Sequence, residues 1–89
     1  MKAVITVTGK DAVGIIADVS AVCAKAKANI LEITQSVLSE YFAMIILVNS
    51  DNLTLPFAEF ADSLATLGKG RGLDVRAVHE EIFDAMHRI

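Results

Sequence analysis

The sequence predicts an α+β sandwich in which the order β-α-β occurs twice, joined by a hairpin and followed by one more helix. Three observations lead there. The first residues alternate apolar and polar with a period of two, as a half-buried strand does. At Gly14, and again at Pro56, apolar residues begin to recur at helical spacing. Glycine, asparagine and short polar turns stand where the period changes.

Lys2 to Thr8 reads as the first strand, with Ala3, Ile5 and Val7 on one face. From Gly14 onward, Ile15, Val19, Val22, Cys23 and Ala26 fall on one stripe of an amphipathic helix, which Ala28-Asn29 ends. The second strand, Ile30 to Leu38, places Leu31, Ile33, Gln35 and Val37 on one face and Glu32, Thr34 and Ser36 on the other. Ser39-Glu40 is short enough for a tight hairpin. Tyr41 to Asn49 is apolar on both faces, so it belongs in the middle of a sheet or beneath a partner. Ser50 to Leu55 is a turn in which Thr54 is a candidate N-cap, and Pro56 suits the first turn of the next helix. Phe57, Phe60, Ala61, Leu64 and Leu67 form that helix's buried stripe, and Gly68 is its expected stop. Leu73 to His79 is the fourth strand, with Leu73, Val75 and Ala77 inward. Glu80 to Ile89 reads as a third helix with Ile82, Phe83, Met86 and Ile89 on one side. Its acids lie first and its bases, His87 and Arg88, last, which complements the helix dipole.

Right-handed crossovers turn this order into a ferredoxin-like βαββαβ sandwich, an antiparallel four-stranded sheet with two helices on one face. The first and third strands are expected in the centre and the second and fourth at the edges. The second strand is long and lightly charged for an edge, which invites pairing with another chain. The 89 residues are expected to form one domain, a core of about 2–79 and a C-terminal helix of about 80–89.

Composition narrows the partners. A chain of this size buries only roughly 60–65% of its unfolded surface. Yet 54% of its residues are hydrophobic and the mean hydropathy is +0.53, so self-association as a homodimer is the expected cover for the surplus. The longest apolar run, Ala43 to Val48, is far short of the roughly 20 residues that cross a membrane. The first residues alternate like a strand rather than forming a basic-then-apolar leader, and the single cysteine, Cys23, permits no internal disulfide. Both point to the cytoplasm. A net charge of −3 argues against nucleic acid, since phosphate contacts need clustered bases. The one basic concentration, Lys69-Gly70-Arg71-Gly72, reads as a solvated loop.

The junction Gly9-Lys10-Asp11-Ala12-Val13-Gly14 is the most informative stretch. A helix N-terminus presents backbone N–H groups that suit a carboxylate. Asp11 beside them suits an ammonium, and the two together suit a zwitterion such as an amino acid. Asp is equally a favoured helix cap, Gly14 a residue for close backbone approach, and Asn29 a turn residue, so capping without a ligand stays open.

The run of strand, Asp11-Ala12-Val13-Gly14-Ile15, apolar helix, Ala28-Asn29-Ile30 and strand resembles an ACT domain, the small regulatory module of many amino-acid-metabolising enzymes. It is most similar to the short stand-alone bacterial ACT-domain proteins, from Lys2 to about His79. The resemblance implies that Asp11 and Asn29 contact a ligand, with the N–H groups of Val13, Gly14 and Ile15 at the same site and Ile30 beside Asn29. It also implies that the site forms where two copies pair edge to edge through Ile30 to Leu38. Val13 departs from the proline that many members carry before the glycine, and the helix after His79 lies outside the core module.

Other chemistry finds less support. Cys23 lies on the buried stripe as a small core residue, with no neighbour in sequence to activate a thiol. His79, Glu80, Asp84 and His87 have the residue types for a metal on one helix face, and a solvated polar face explains them as well. Tyr41-Phe42 suits sheet packing rather than base stacking. No cofactor is implied, and no Ser-His-Asp set or evident pair of carboxylates points to catalysis. Acylphosphatase-like enzymes share the fold class and need an arginine in the first loop, where this chain has Lys10 and Asp11. The expected function is thus a non-catalytic, regulatory amino-acid-binding module acting on an unidentified partner protein. An oligomerisation or adaptor subunit without ligand is the alternative, and an acylphosphatase-like enzyme a weaker one.

Overall fold

A computed structural model describes residues 1–10 and 13–86 of the chain. Asp11, Ala12 and the C-terminal His87, Arg88 and Ile89 lie outside the described residues, so the expected end of the last helix lies there too. The elements run β1 (Lys2–Gly9), α1 (Ile15–Ala26), β2 (Asn29–Leu38), β3 (Tyr41–Asn49), α2 (Phe57–Arg71), β4 (Asp74–His79) and α3 (Glu80–Met86). The sheet is antiparallel throughout with order β2-β3-β1-β4, which puts β2 and β4 at the edges as expected.

Period-two burial builds the core. Ala3, Ile5 and Val7 of β1 lie beside Val48, Ile46 and Met44 of β3, all at most 1% exposed. Onto this face α1 presses Ile15, Val19, Cys23 and Ala26, and α2 presses Phe60 and Leu64. The opposite face carries Val4, Thr6, Thr8, Ala43, Ile45 and Leu47. There α3 lies beside β1 and β4, bringing Phe83 and Met86 near Thr6, Thr8 and Val78.

Four expectations need correction. Leu31 does not alternate in step with Ile33, because Ile30 pairs with Val48 and Glu32 with Leu47, leaving Leu31 as the extra residue of a bulge. Thr54 does not cap α2. Pro56 holds the N-cap position, and Thr54 Oγ1 instead donates to the Ala26 carbonyl at 3.3 Å, tying the turn to the end of α1. Gly68 does not stop α2. The helix continues to Arg71, and Gly72 in left-handed geometry (φ +71°) ends it, with the Leu73 N–H returning to the Gly68 carbonyl at 2.8 Å. Leu73 belongs to this cap rather than to β4 and remains buried.

Candidate functional site

Chain direction gives the sandwich two distinct ends. At one end lie the close of β1, the start of α1, the Ser39-Glu40 hairpin and the close of α2. Lys10 marks it by reaching the hairpin, with Nζ 3.6 Å from Oε1 of Glu40 and 5.3 Å from the Tyr41 ring centroid. Tyr41 is therefore the capped, half-exposed member of the aromatic pair, while Phe42 lies in the core. At the other end lie Met1, Asn29 and the Ser50–Leu55 turn, where the Ser50 N–H donates to the Met1 carbonyl at 2.8 Å.

Of the expected ligand residues, Val13, Gly14 and Ile15 lie at the first end. Val13 is 82% exposed and Ile15 is fully buried as the first core residue of α1. Gly14 occupies the N-cap with φ +78°, a backbone state that side chains rarely adopt, and its carbonyl accepts the Asp18 N–H at 3.2 Å. Asn29 and Ile30 lie at the second end, across α1, whose 12 residues span about 18 Å. One chain alone thus does not bring Asn29 to Gly14. Asp11 lies outside the described residues.

Sequence reasoning missed the residue that crosses the loop. Lys69-Gly70-Arg71 is not solvated loop but the last turn of α2. From there Arg71 reaches α1, where Nε and Nη2 lie 2.6 and 2.5 Å from Oδ2 of Asp18. Nη1 donates to the Val13 carbonyl at 2.7 Å. A Cβ added to Gly14 would sit 3.2 Å from Nη2, so the space that glycine leaves is taken by the guanidinium. The first loop of an acylphosphatase needs an arginine open to phosphate. Arg71 is already committed to a carboxylate and a carbonyl.

Other candidates disperse. The His79 ring stacks on Phe57, centroids 4.0 Å apart and planes at 25°. Among the described residues no three His, Cys, Asp or Glu side chains gather as a metal set would, and His87 of the expected set lies outside them. Cys23 is 1% exposed, and burial pushes its thiol up to about 11. A groove of about 330 Å³ between α1 and α2 is lined by Val22, Lys25, Leu55 and Phe60. A second, of about 450 Å³, lies under Phe83 and Met86 of α3. Neither groove reaches Gly14. No helix among the described residues is long and apolar enough to cross a membrane.

Comparison with known proteins agrees with this fold. Residues 2–77 match the family model described as an ACT domain. A UPF0237 protein of Neisseria meningitidis serogroup A is 48% identical over 86 residues, covering 97% of this chain and 96% of its own. An ACT domain protein from Streptococcus pneumoniae superposes with a TM-score of 0.80 at 39% identity, over 98% of both chains. At 23% identity and a TM-score of 0.64, the regulatory subunit of aspartate kinase from Thermus thermophilus shares the fold over 86% of this chain and half of its own. The chain belongs to the ACT domain family, a family of regulatory modules that bind small molecules.

Proposed function

We propose that the chain is a homodimeric regulatory module, without catalytic activity of its own, whose ligand is an amino acid held between two copies. Its target is a separate partner protein, reached directly or through a change in association state. The observation that carries this reading is the β2 edge. Leu31, Ile33, Val37 and Leu38 are each at least 40% exposed along a strand with one unpaired side. Two such edges paired antiparallel run end to start, which would bring the second copy's Asn29 toward the Leu38 end of the strand, the end that holds Gly14. The residues that one chain holds about 18 Å apart would then meet across the interface. Asp11 would take the ligand's ammonium, and the N–H groups of Val13, Gly14 and Ile15 its carboxylate.

Light scattering with and without each of the twenty amino acids tests assembly and response together, and calorimetric titration of the dimer tests binding. A folded dimer that binds none of the twenty would sink the ligand half of the proposal.

The adaptor reading has one observation in its favour. Arg71 and Asp18 already supply opposite charges at the start of α1, and Arg71 holds the Val13 carbonyl without a ligand. Asp11→Ala separates the two readings. If Asp11 only caps, stability falls by about 0.5–2 kcal/mol with assembly and regulation intact; if it contacts ligand, amino-acid binding is lost.

A further inference from the structure

We propose that Arg71 is a positioning residue for the Val13–Gly14 peptide, fixing the direction in which the Gly14 N–H points. The reasoning begins with the peptide bond between Val13 and Gly14. It is planar and trans, so its carbonyl and N–H point to opposite sides. Nη1 of Arg71 holds that carbonyl at 2.7 Å, which turns the Gly14 N–H away from the guanidinium.

The hold is needed because Gly14 sits at φ +78°, and a glycine crosses between positive and negative φ with little resistance. Rotation of the Val13–Gly14 peptide would be cheap if nothing gripped it. Arg71 grips it from a fixed base. Its Nε and Nη2 are anchored on Oδ2 of Asp18 at 2.6 and 2.5 Å, within α1 itself, and its side chain is only 33% exposed. One planar guanidinium reaches the carboxylate with one edge and the carbonyl with another, a geometry that a lysine ammonium cannot reproduce. A Cβ on Gly14 would press on Nη2, so the glycine gives the guanidinium room to lie where it does. The assignment of a ligand carboxylate to the Gly14 N–H rests on the function proposed above; the assignment of Arg71 to the peptide does not.

Backbone amide relaxation of uniformly ¹⁵N-labelled protein tests it. In Arg71→Ala, and equally in Arg71→Lys, which keeps the positive charge at the end of α2, the Gly14 order parameter should fall from about 0.85 to below about 0.6. Core amides of β1 and β3 should stay as in the wild type. Asp18→Asn, which weakens the anchor but leaves the Nη1 donor, should loosen Gly14 less than either. An unchanged Gly14 order parameter in Arg71→Ala, or full rescue by Arg71→Lys, would overturn the proposal. Titration with the twenty amino acids adds an independent arm. If the wild type binds one of them, Arg71→Lys should weaken it at least about tenfold, and undiminished binding would count against the proposal. If the wild type binds none, the ligand reading fails and the relaxation data alone decide the role of Arg71.

Discussion

A Cβ placed on Gly68 would lie 2.7 Å from Cγ2 of Val75 and 2.8 Å from the carbonyl oxygen of Leu73. The glycine lets the last turns of α2 rest directly on β4, and the contacting carbonyl is backbone that cannot swing aside. Gly68→Ala should therefore destabilise the protein by about 1–2 kcal/mol, overpacking outweighing the helix propensity that alanine adds. Gly70 stands two residues on in the same helix with nothing within 4 Å of its would-be Cβ. Gly70→Ala should stabilise by about 0.5–1 kcal/mol. Thermal unfolding of the pair measures both, with each kcal/mol worth roughly 4–8 °C at this chain length.

The contrast between Gly68 and Gly70 also shows which parts of the fold were legible in the sequence. Periodicity located the seven elements of the described residues, because alternation in β1 and the stripe from Ile15 to Ala26 are set by burial, and right-handed crossovers then gave the strand order. Gly68 looked like a stop because glycine ends helices, while its actual role depends on Val75 of another element. Arg71 and Asp18 are 53 positions apart, and only the packing of α1 against α2 makes them neighbours. Nothing local in Lys69-Gly70-Arg71-Gly72 distinguishes such a reach from a solvated turn. The bulge at Leu31 was hidden for a similar reason, since register is a property of two strands.

Cys23 gives the protein a defined response to alkali. Its thiol, buried on α1, is pushed up to about 11 from an ordinary 9.0. The folded state thus keeps a proton that the unfolded chain releases first. Stability from this group is complete below about pH 9 and is lost as pH rises through about 11. The loss amounts to about 2–3 kcal/mol. Denaturant titrations of wild type and Cys23→Ala between pH 8 and 11 should show the wild type declining more steeply, other titrating groups being common to both. At neutral pH the same thiol should react with a maleimide only on unfolding.

His79 combines a favourable contact with an unfavourable one. Its ring stacks on Phe57 at 4.0 Å, whereas Nδ1 is buried without a hydrogen-bond partner among the described residues. Aromatic stacking contributes about 0.5–1.5 kcal/mol, while an unsatisfied buried polar atom costs about 1–3 kcal/mol. His79→Phe keeps the first and removes the second, so it should raise stability by up to about 1 kcal/mol. His79→Ala also removes that atom but loses the stack and leaves a gap beside Phe57, so it should be less stable than His79→Phe by about 1–3 kcal/mol. Equilibrium urea unfolding of both variants distinguishes this account from one in which His79 acts only as a polar surface residue, for which the two variants would be about equally stable.

Ile33 offers the sharpest test of edge pairing. β2 runs from Asn29 to Leu38, so the midpoint of the strand falls between Ile33 and Thr34. In an antiparallel self-pairing near the middle of the strand, residue 33 of each copy lies within a residue or two of the two-fold axis. Ile33 is 40% exposed in the single chain, so a lysine there can extend its ammonium to water with little cost to the monomer. In the dimer the same substitution would set two like charges close to the axis and remove apolar area from the seam, and charged residues on edges are how sheets resist pairing. Ile33→Lys should therefore shift sedimentation velocity profiles toward monomer at concentrations where the wild type is dimeric, while circular dichroism stays native. Raising salt should restore part of the dimer by screening the two ammonium groups. A variant that remains as dimeric as the wild type at low salt would place the interface elsewhere, and Asn29 and Gly14 would then lose the geometry that brings them together.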